Sequence, residues 1–354
     1  MIRSVGAKTL VTLLVTSAVA LGGGMHEGHK VFYQNRFEQN AAAKTAGVSV
    51  DPQTRELVLA EGTNHPYVRT GIFMSLPARA ARPFSAVFPS WQAEVPESTS
   101  LEVAFRFANG DTGPWTRWYP VQREADLELG AIYRFIQFRA ILTSDNGDTT
   151  PRVSAVSLHF GIVNQDQPPI PAGRVVDLPR PPVVSREQWG ARPAKETYTQ
   201  HVPVILTIHH TSSPTAASYN GPSTIRGIQN YHMDAPTHNW IDIGYHFLVA
   251  PDGTIFQGRP ELVSGAHCIP NPGKIGICVI GDFQPPSTEQ PSDAQYAHLV
   301  DLVSHLAGKY GISPQGIGGH RDWMTTDCPG QRLYDRLPEI RAEVGRRIDA
   351  AGSK

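Results

Sequence analysis

Two domains are predicted from three features of this 354-residue chain: an N-terminal half that alternates apolar and polar residues, a proline-dense stretch near the middle, and a C-terminal half that mixes buried-strand runs with helical spacing. The fold class is an N-terminal all-β sandwich, jelly-roll-like, followed by an α/β domain with a mixed central sheet and flanking helices. The length agrees with two domains at about 150 residues each. A formal net charge of −1 argues against a nucleic-acid binder, which ordinarily presents a basic surface. No run reaches the ~18 consecutive apolar residues of a membrane span. Three cysteines are too few for a disulfide framework.

The start of the chain has the layout of a secretory signal peptide over residues 1–24. Arg3 and Lys8 precede an apolar run over residues 10–21, Ala18-Val19-Ala20 is a small-x-small cleavage signature, and three glycines follow. Export to the periplasm or to the extracellular cell wall is the expectation. An N-terminal core segment or an uncleaved anchor is the rival reading.

Residues 30–164 form the expected β-sandwich. Leu101, Val103, Phe105 and Phe107 alternate with Glu102, Ala104 and Arg106, and Val156, Leu158 and Phe160 alternate with Ser157 and His159. Successive strand side chains point to opposite faces, so this is the pattern of half-buried strands. Asn109-Gly110 and Asp145-Asn146-Gly147 punctuate them. Trp115, Trp118 and Tyr119 stand together. A glycan-stacking surface is one reading of these rings, and packing into the core or a loop base is the other. Residues 165–182 carry Pro168, Pro169, Pro171, Pro179, Pro181 and Pro182, a density that favours an extended, semi-rigid linker.

Residues 183–351 make the second domain. Residues 204–208 and 275–280 read as buried strands, and Pro251-Asp252-Gly253 separates two short apolar runs as a hairpin turn. Ser292 with Gln295 three residues later is a capping-box start for a helix whose Leu299, Leu302, Val303 and Leu306 recur at helical spacing before Gly311 stops it. A last helix begins near Pro338, with Ile340, Val344 and Ile348 on one face.

The chemistry concentrates here. Ten of the fourteen histidines fall after residue 200. His209 and His210 end a buried strand, and His320 and Cys328 share a loop between two helices. Two imidazoles and one thiolate suit Zn²⁺, with a fourth position left for water. Spacing alone does not pair residues a hundred positions apart.

Several ordered motifs resemble the N-acetylmuramoyl-L-alanine amidase/peptidoglycan recognition protein family. They are Ser185-Arg186-Glu187-Gln188-Trp189-Gly190-Ala191, Ile208-His209-His210-Thr211, Asp242-Ile243-Gly244-Tyr245-His246-Phe247, and residues 252–259. Gly265-Ala266-His267, Ile275-Gly276-Ile277 with Gly281-Asp282-Phe283, and the block from His320 to Cys328 complete the series. The resemblance covers nearly all of residues 183–348 and none of the first domain. It implies a zinc amidase domain holding one Zn²⁺ on His209, His320 and Cys328. Tyr245 matches the tyrosine that orients or activates the zinc-bound water, and Thr326 stands close to the developing oxyanion. Arg259, His267 and Asn271 match positions lining the peptide-binding groove, and His210 reads as a packing neighbour.

The implied partner is peptidoglycan, and the implied reaction is hydrolysis of the amide between N-acetylmuramic acid and L-alanine. Asn239-Trp240 is a hybrid of the family's Gly-Trp and Asn-Phe pairs, so stem-peptide preference stays open, and Gln257 stands where many relatives have Glu. Two rivals remain: a non-hydrolytic peptidoglycan receptor, and a cysteine hydrolase using Cys328 with His320. Cys268 and Cys278 stand as a candidate disulfide.

Overall fold

The computed structural model describes residues 30–35, 37, 42–161 and 170–353. The signal-peptide expectation falls outside these residues. Among the described residues ten strands make the first domain: β1 (Lys30–Gln34), β2 (Ala42–Ala46), β3 (Val48–Val50), β4 (Leu57–Leu59), β5 (Thr70–Ser75), β6 (Ala78–Glu94), β7 (Thr99–Ala108), β8 (Tyr119–Val121), β9 (Leu127–Ser144) and β10 (Arg152–Gly161). In place of two separate sheets, all ten join one hydrogen-bonded network ordered β2-β5-β9-β6-β10-β4-β3, with β1 on β10 and β7 and β8 beside β9. The long β6 and β9 make this possible. β9 pairs β6 early in its course and β5 later, and its register with β6 shifts twice between Arg79 and Ala86. Phe73, Phe84, Phe105, Phe107, Phe138 and Leu158 fill the core.

The alternation holds where the second face is solvated and fails where it is covered. In β10 the apolar Val156, Leu158 and Phe160 are buried as expected, but so are Ser157 and His159. Their face packs on the second domain: the His159 ring lies 5.6 Å from that of Trp240 and 5.7 Å from that of His238, and Phe88 of β6 meets Trp240 edge-on at 6.3 Å. Trp115 and Trp118 are half-buried at the domain's flank. The Arg106 guanidinium lies 4.9 Å from the Trp115 ring and 4.7 Å from that of Trp118, and Arg139 adds a second cation 5.0 Å from Trp118. The chain's own cations thus hold ring surfaces that a stacked sugar would need.

The proline-rich stretch is strapped down over its described part. Gly173 N donates to Gly311 O (2.8 Å), Val176 N to Gly308 O (3.0 Å), and Leu178 O pairs with His305 Nδ1 (2.9 Å). Val176 and Leu178 also pack on the second domain's core. From residue 173 on, the stretch expected as a semi-rigid linker is bonded to and packed on that domain.

The second domain has β11 (Ile205–His210), β12 (Phe247–Val249), β13 (Ile255–Gln257), β14 (Lys274–Val279) and β15 (Ile317–Gly319), ordered β13-β12-β14-β11-β15. All but the antiparallel edge strand β13 run parallel. Its helices are α1 (Arg186–Trp189), α2 (Gly221–Asp234), α3 (Asp293–Tyr310), α4 (His320–Trp323), α5 (Gln331–Tyr334) and α6 (Leu337–Gly352). β14 is buried throughout, which explains its unbroken apolar run. Ser292 caps α3 by accepting from Gln295 N at 3.0 Å. The Gln295 side chain does not close the expected box: its Nε2 donates to Val249 O and Ile280 O, tying the ends of β12 and β14 (both 2.9 Å). No helix among the described residues is long and apolar enough to cross a membrane.

Candidate metal centre beneath the domain interface

The site forms at the carboxyl ends of the parallel strands, the usual place for ligands in such sheets. β11 delivers His209, its neighbour β14 places Cys278 directly opposite His209, and β15 on the other side ends at Gly319 with His320 next in the chain. The loop after α4 returns Cys328, whose carbonyl accepts from Arg321 N (2.9 Å). One ligand atom from each of His209, His320 and Cys328 lies within 4.8 Å of the others, and all three residues are buried. His209 Nδ1 to Cys328 Sγ is 3.6 Å. A tetrahedral zinc with metal–nitrogen ~2.05 Å and metal–sulfur ~2.3 Å requires an edge of about 3.5 Å, so this donor pair fits such an ion.

Hydrogen bonding fixes which imidazole nitrogens carry lone pairs. His267 Nε2 faces Lys274 O at 3.3 Å, and a carbonyl only accepts. The proton is therefore on His267 Nε2, and burial, which holds this ring's pKa well below the ordinary range, keeps it neutral. His267 Nδ1 then accepts from His209 Nε2 at 3.0 Å. In the neutral form of His209 the lone pair is then on Nδ1, the atom facing Cys328. His320 Nε2 lies 3.3 Å from Met324 Sδ, a thioether that accepts, which leaves Nδ1 as its lone-pair nitrogen. His267 itself is clamped: a Cβ on Gly265 would sit 2.3 Å, and one on Gly276 2.6 Å, from its Cδ2.

Tyr245 is buried with its ring 5.3 Å from that of His209. Its hydroxyl is hydrogen-bonded to Cys278, and burial together with the neighbouring thiols pushes its pKa well up, so the phenol keeps its proton. Thr326 is half-buried, and its Oγ1 accepts from Cys328 N at 3.1 Å, which leaves its O–H to donate elsewhere. His210 packs beside the site as expected: its backbone N donates to Cys328 Sγ (3.4 Å), and burial lowers its imidazole to about 4. All three cysteines are free, so the Cys268–Cys278 disulfide is not formed.

Arg259, His267 and Asn271, expected along a peptide-binding groove, are held among polar partners of this chain. All three are buried. Arg259 donates to Ile243 O (2.7 Å), Ser264 O (3.0 Å) and the Glu124 carboxylate (3.0 Å), while Asn271 Nδ2 donates to Asp126 (3.2 Å). Glu124 and Asp126 belong to the first domain, which the family resemblance does not reach. Glu124 also accepts from Ile241 N, and Asn239 O accepts from Ser90 Oγ (2.9 Å) and Arg123 (2.6 Å). Asn239 itself sits at φ +55°, a left-handed conformation that favours Asn or Gly, so its identity has a backbone cause. Glu124, Asp126 and Met324 escaped sequence reasoning, because nothing local to a Glu-Ala-Asp turn marks it as a contact to residues more than 100 positions away.

A mixed sheet with two imidazoles and a thiol converging at its strand ends defines a domain built around a three-donor metal-type site. Residues 199–331 match the family described as N-acetylmuramoyl-L-alanine amidase, and residues 26–135 match one described as Peptidase C39 N-terminal domain. An N-acetylmuramoyl-L-alanine amidase of Sus scrofa is 32% identical over 165 residues, covering 44% of this chain and 27% of that protein. Peptidoglycan-recognition protein SC2 of Drosophila melanogaster is 32% identical over 159 residues, covering 44% of this chain and 84% of the relative. Among solved structures, Drosophila PGRP-LB is similar at 33% identity and a TM-score of 0.40, over 44% of this chain and 92% of that one. The chain belongs to the N-acetylmuramoyl-L-alanine amidase/peptidoglycan recognition protein family.

Proposed function

We propose that this chain is an exported, zinc-dependent N-acetylmuramoyl-L-alanine amidase that cuts the amide between N-acetylmuramic acid and L-alanine of peptidoglycan. The observation that carries the reading is the convergence of His209, His320 and Cys328 within 4.8 Å, a complete donor set where a pure receptor needs none. Zinc, when bound there, supplies Lewis acidity and a water of lowered pKa. The remaining work falls to the chain. His209 and His320 present imidazole nitrogens, with the opposite ring nitrogen held by His267 and Met324 respectively. Tyr245, protonated throughout the physiological range, is a donor beside His209, and the Thr326 hydroxyl is a second donor for an oxyanion forming near Cys328. The leader-like residues 1–24 support export, which gives access to a wall polymer.

The cysteine-hydrolase reading fits less well. A nucleophilic thiol needs a depressed pKa, whereas burial pushes the Cys328 thiol up, and the reading, which pairs Cys328 with His320, leaves the converging His209 unexplained. Peptidoglycan digested by the mature protein should release stem peptides beginning with L-alanine, with loss on chelation and recovery on adding zinc. Wall binding by zinc-loaded protein without such peptides overturns the amidase reading in favour of a receptor.

A further inference from the structure

We infer that the N-terminal β domain is a working part of the metal centre, with Asp126 a positioning residue for the ligand His209. This rests on the metal-centre reading above and deepens it, since the family resemblance assigns the first domain nothing. The connection is a continuous series of hydrogen bonds. The Asp126 carboxylate accepts from Asn271 Nδ2, at 3.2 Å to one oxygen and 3.3 Å to the other. Asn271 Oδ1 accepts from His267 N (2.6 Å) and Cys268 N (2.9 Å). His267 Nδ1 accepts from His209 Nε2 at 3.0 Å.

The chemistry of each group gives the series a direction. Both Asp126 oxygens lie within reach of Asn271 Nδ2, and a carboxyl keeps an acceptor oxygen in either protonation state, so it favours the Asn271 rotamer that turns the NH₂ toward the first domain and the carbonyl toward the loop. The flipped amide would aim its N–H donors at the N–H groups of His267 and Cys268 and leave those buried donors unpaired, a costly arrangement. Asp126 therefore holds the backbone at His267, and the Gly265–Gly276 slot converts that backbone position into a ring position. The ring then fixes the tautomer and heading of His209. Outer partners of metal ligands act in this way, and their loss ordinarily costs 10- to 100-fold in metal affinity.

Glu124 grips the other side of the same site. It joins Ile241 N and Arg259, and Arg259 in turn holds Ile243 O and Ser264 O, which flank Tyr245 and His267 in the chain.

The full chain tests this through metal binding instead of turnover. Zinc affinity is measured by competition with a chromophoric chelator, and site geometry by the absorption bands of the cobalt(II)-loaded protein. Asp126→Ala should weaken zinc binding about 10-fold and alter the cobalt bands. Asp126→Asn, which still offers an oxygen to Asn271, should retain both, as should the remote Glu102→Gln. Should Asp126→Ala not fold, the exchanged pair serves. Asn271→Asp alone sets two carboxylates face to face and should lose affinity, while Asn271→Asp with Asp126→Asn restores the hydrogen bonds and should recover it.

Unchanged affinity and spectrum in Asp126→Ala, or no recovery in the exchanged pair, overturns the inference and leaves the amidase reading standing. Zinc uptake by the wild-type chain without peptidoglycan hydrolysis overturns the amidase reading alone. A wild-type chain that takes up no zinc overturns both.

Discussion

Tyr245 shows how one side chain can be placed for chemistry by its surroundings. Its phenol is buried, keeps its proton, and stands beside the imidazole of His209, a candidate ligand, without belonging to the donor cluster. Tyr245→Phe should therefore leave zinc content at the wild-type level while lowering kcat roughly 100-fold, the low end for loss of a positioned proton donor. Parallel metal analysis and steady-state assay check this, and an unchanged kcat would remove Tyr245 from the mechanism. The three candidate donors His209, His320 and Cys328 were legible as residue types at a strand end and around one loop. Their neighbours were not. His267, Asn271 and Arg259 match groove positions of the family, and its motif carries no information about the first-domain carboxyls that meet Arg259 and Asn271. Met324 could not be read at all: its role depends on Sδ accepting from Ile269 N at 3.2 Å while facing His320, a contact made by folding alone.

Elements were more legible than contacts, because their causes are local. The α3 boundaries were readable from Ser292 and Gly311, and the structure bears both out, with Gly311 at φ +61° closing the helix. What periodicity could not say is that the Gln295 side chain leaves the cap to satisfy two strand-end carbonyls. The cap thus rests on the Ser292 hydroxyl alone, which also donates to Pro251 O at 2.6 Å in the β12–β13 turn. Ser292→Ala should cost about 1 kcal/mol and lower the melting temperature of the second domain by about 2–4 °C. Differential scanning calorimetry reads this directly, and a shift under 1 °C would mean that the Gln295 bridges hold the helix start unaided. Strand β10 shows the opposite limit. Its period of two was visible, yet the burial of Ser157 and His159 on the other face was not, since the covering surface lies in the second domain.

At the scale of the whole molecule, the interface joining the domains is acidic on one side and carries its charge at a cost. Burial pushes Asp126 up to about 7 despite its bonds to Asn271 and the nearby Lys274 ammonium, and burial raises Glu124 as well, against the pull of Arg259 and Arg123. In the unfolded chain these carboxyls return to the ordinary range near 4. Between pH ~4 and ~7 the unfolded chain has released a proton that folded Asp126 still holds, so the folded state binds more protons and stability falls as pH rises through this window. Above about 7 both states are ionised at this site and the slope from Asp126 vanishes. Asp126→Asn removes that titration while leaving Glu124, Arg259 and Lys274 in place, so their contributions cancel in the comparison. The melting temperature of the wild-type chain should decline relative to Asp126→Asn from pH 4.5 to 7 and run parallel to it from pH 7 to 8.5. Parallel curves across the whole range would show that Asp126 is ionised in the folded protein from low pH, and that the interface accommodates its charge without penalty.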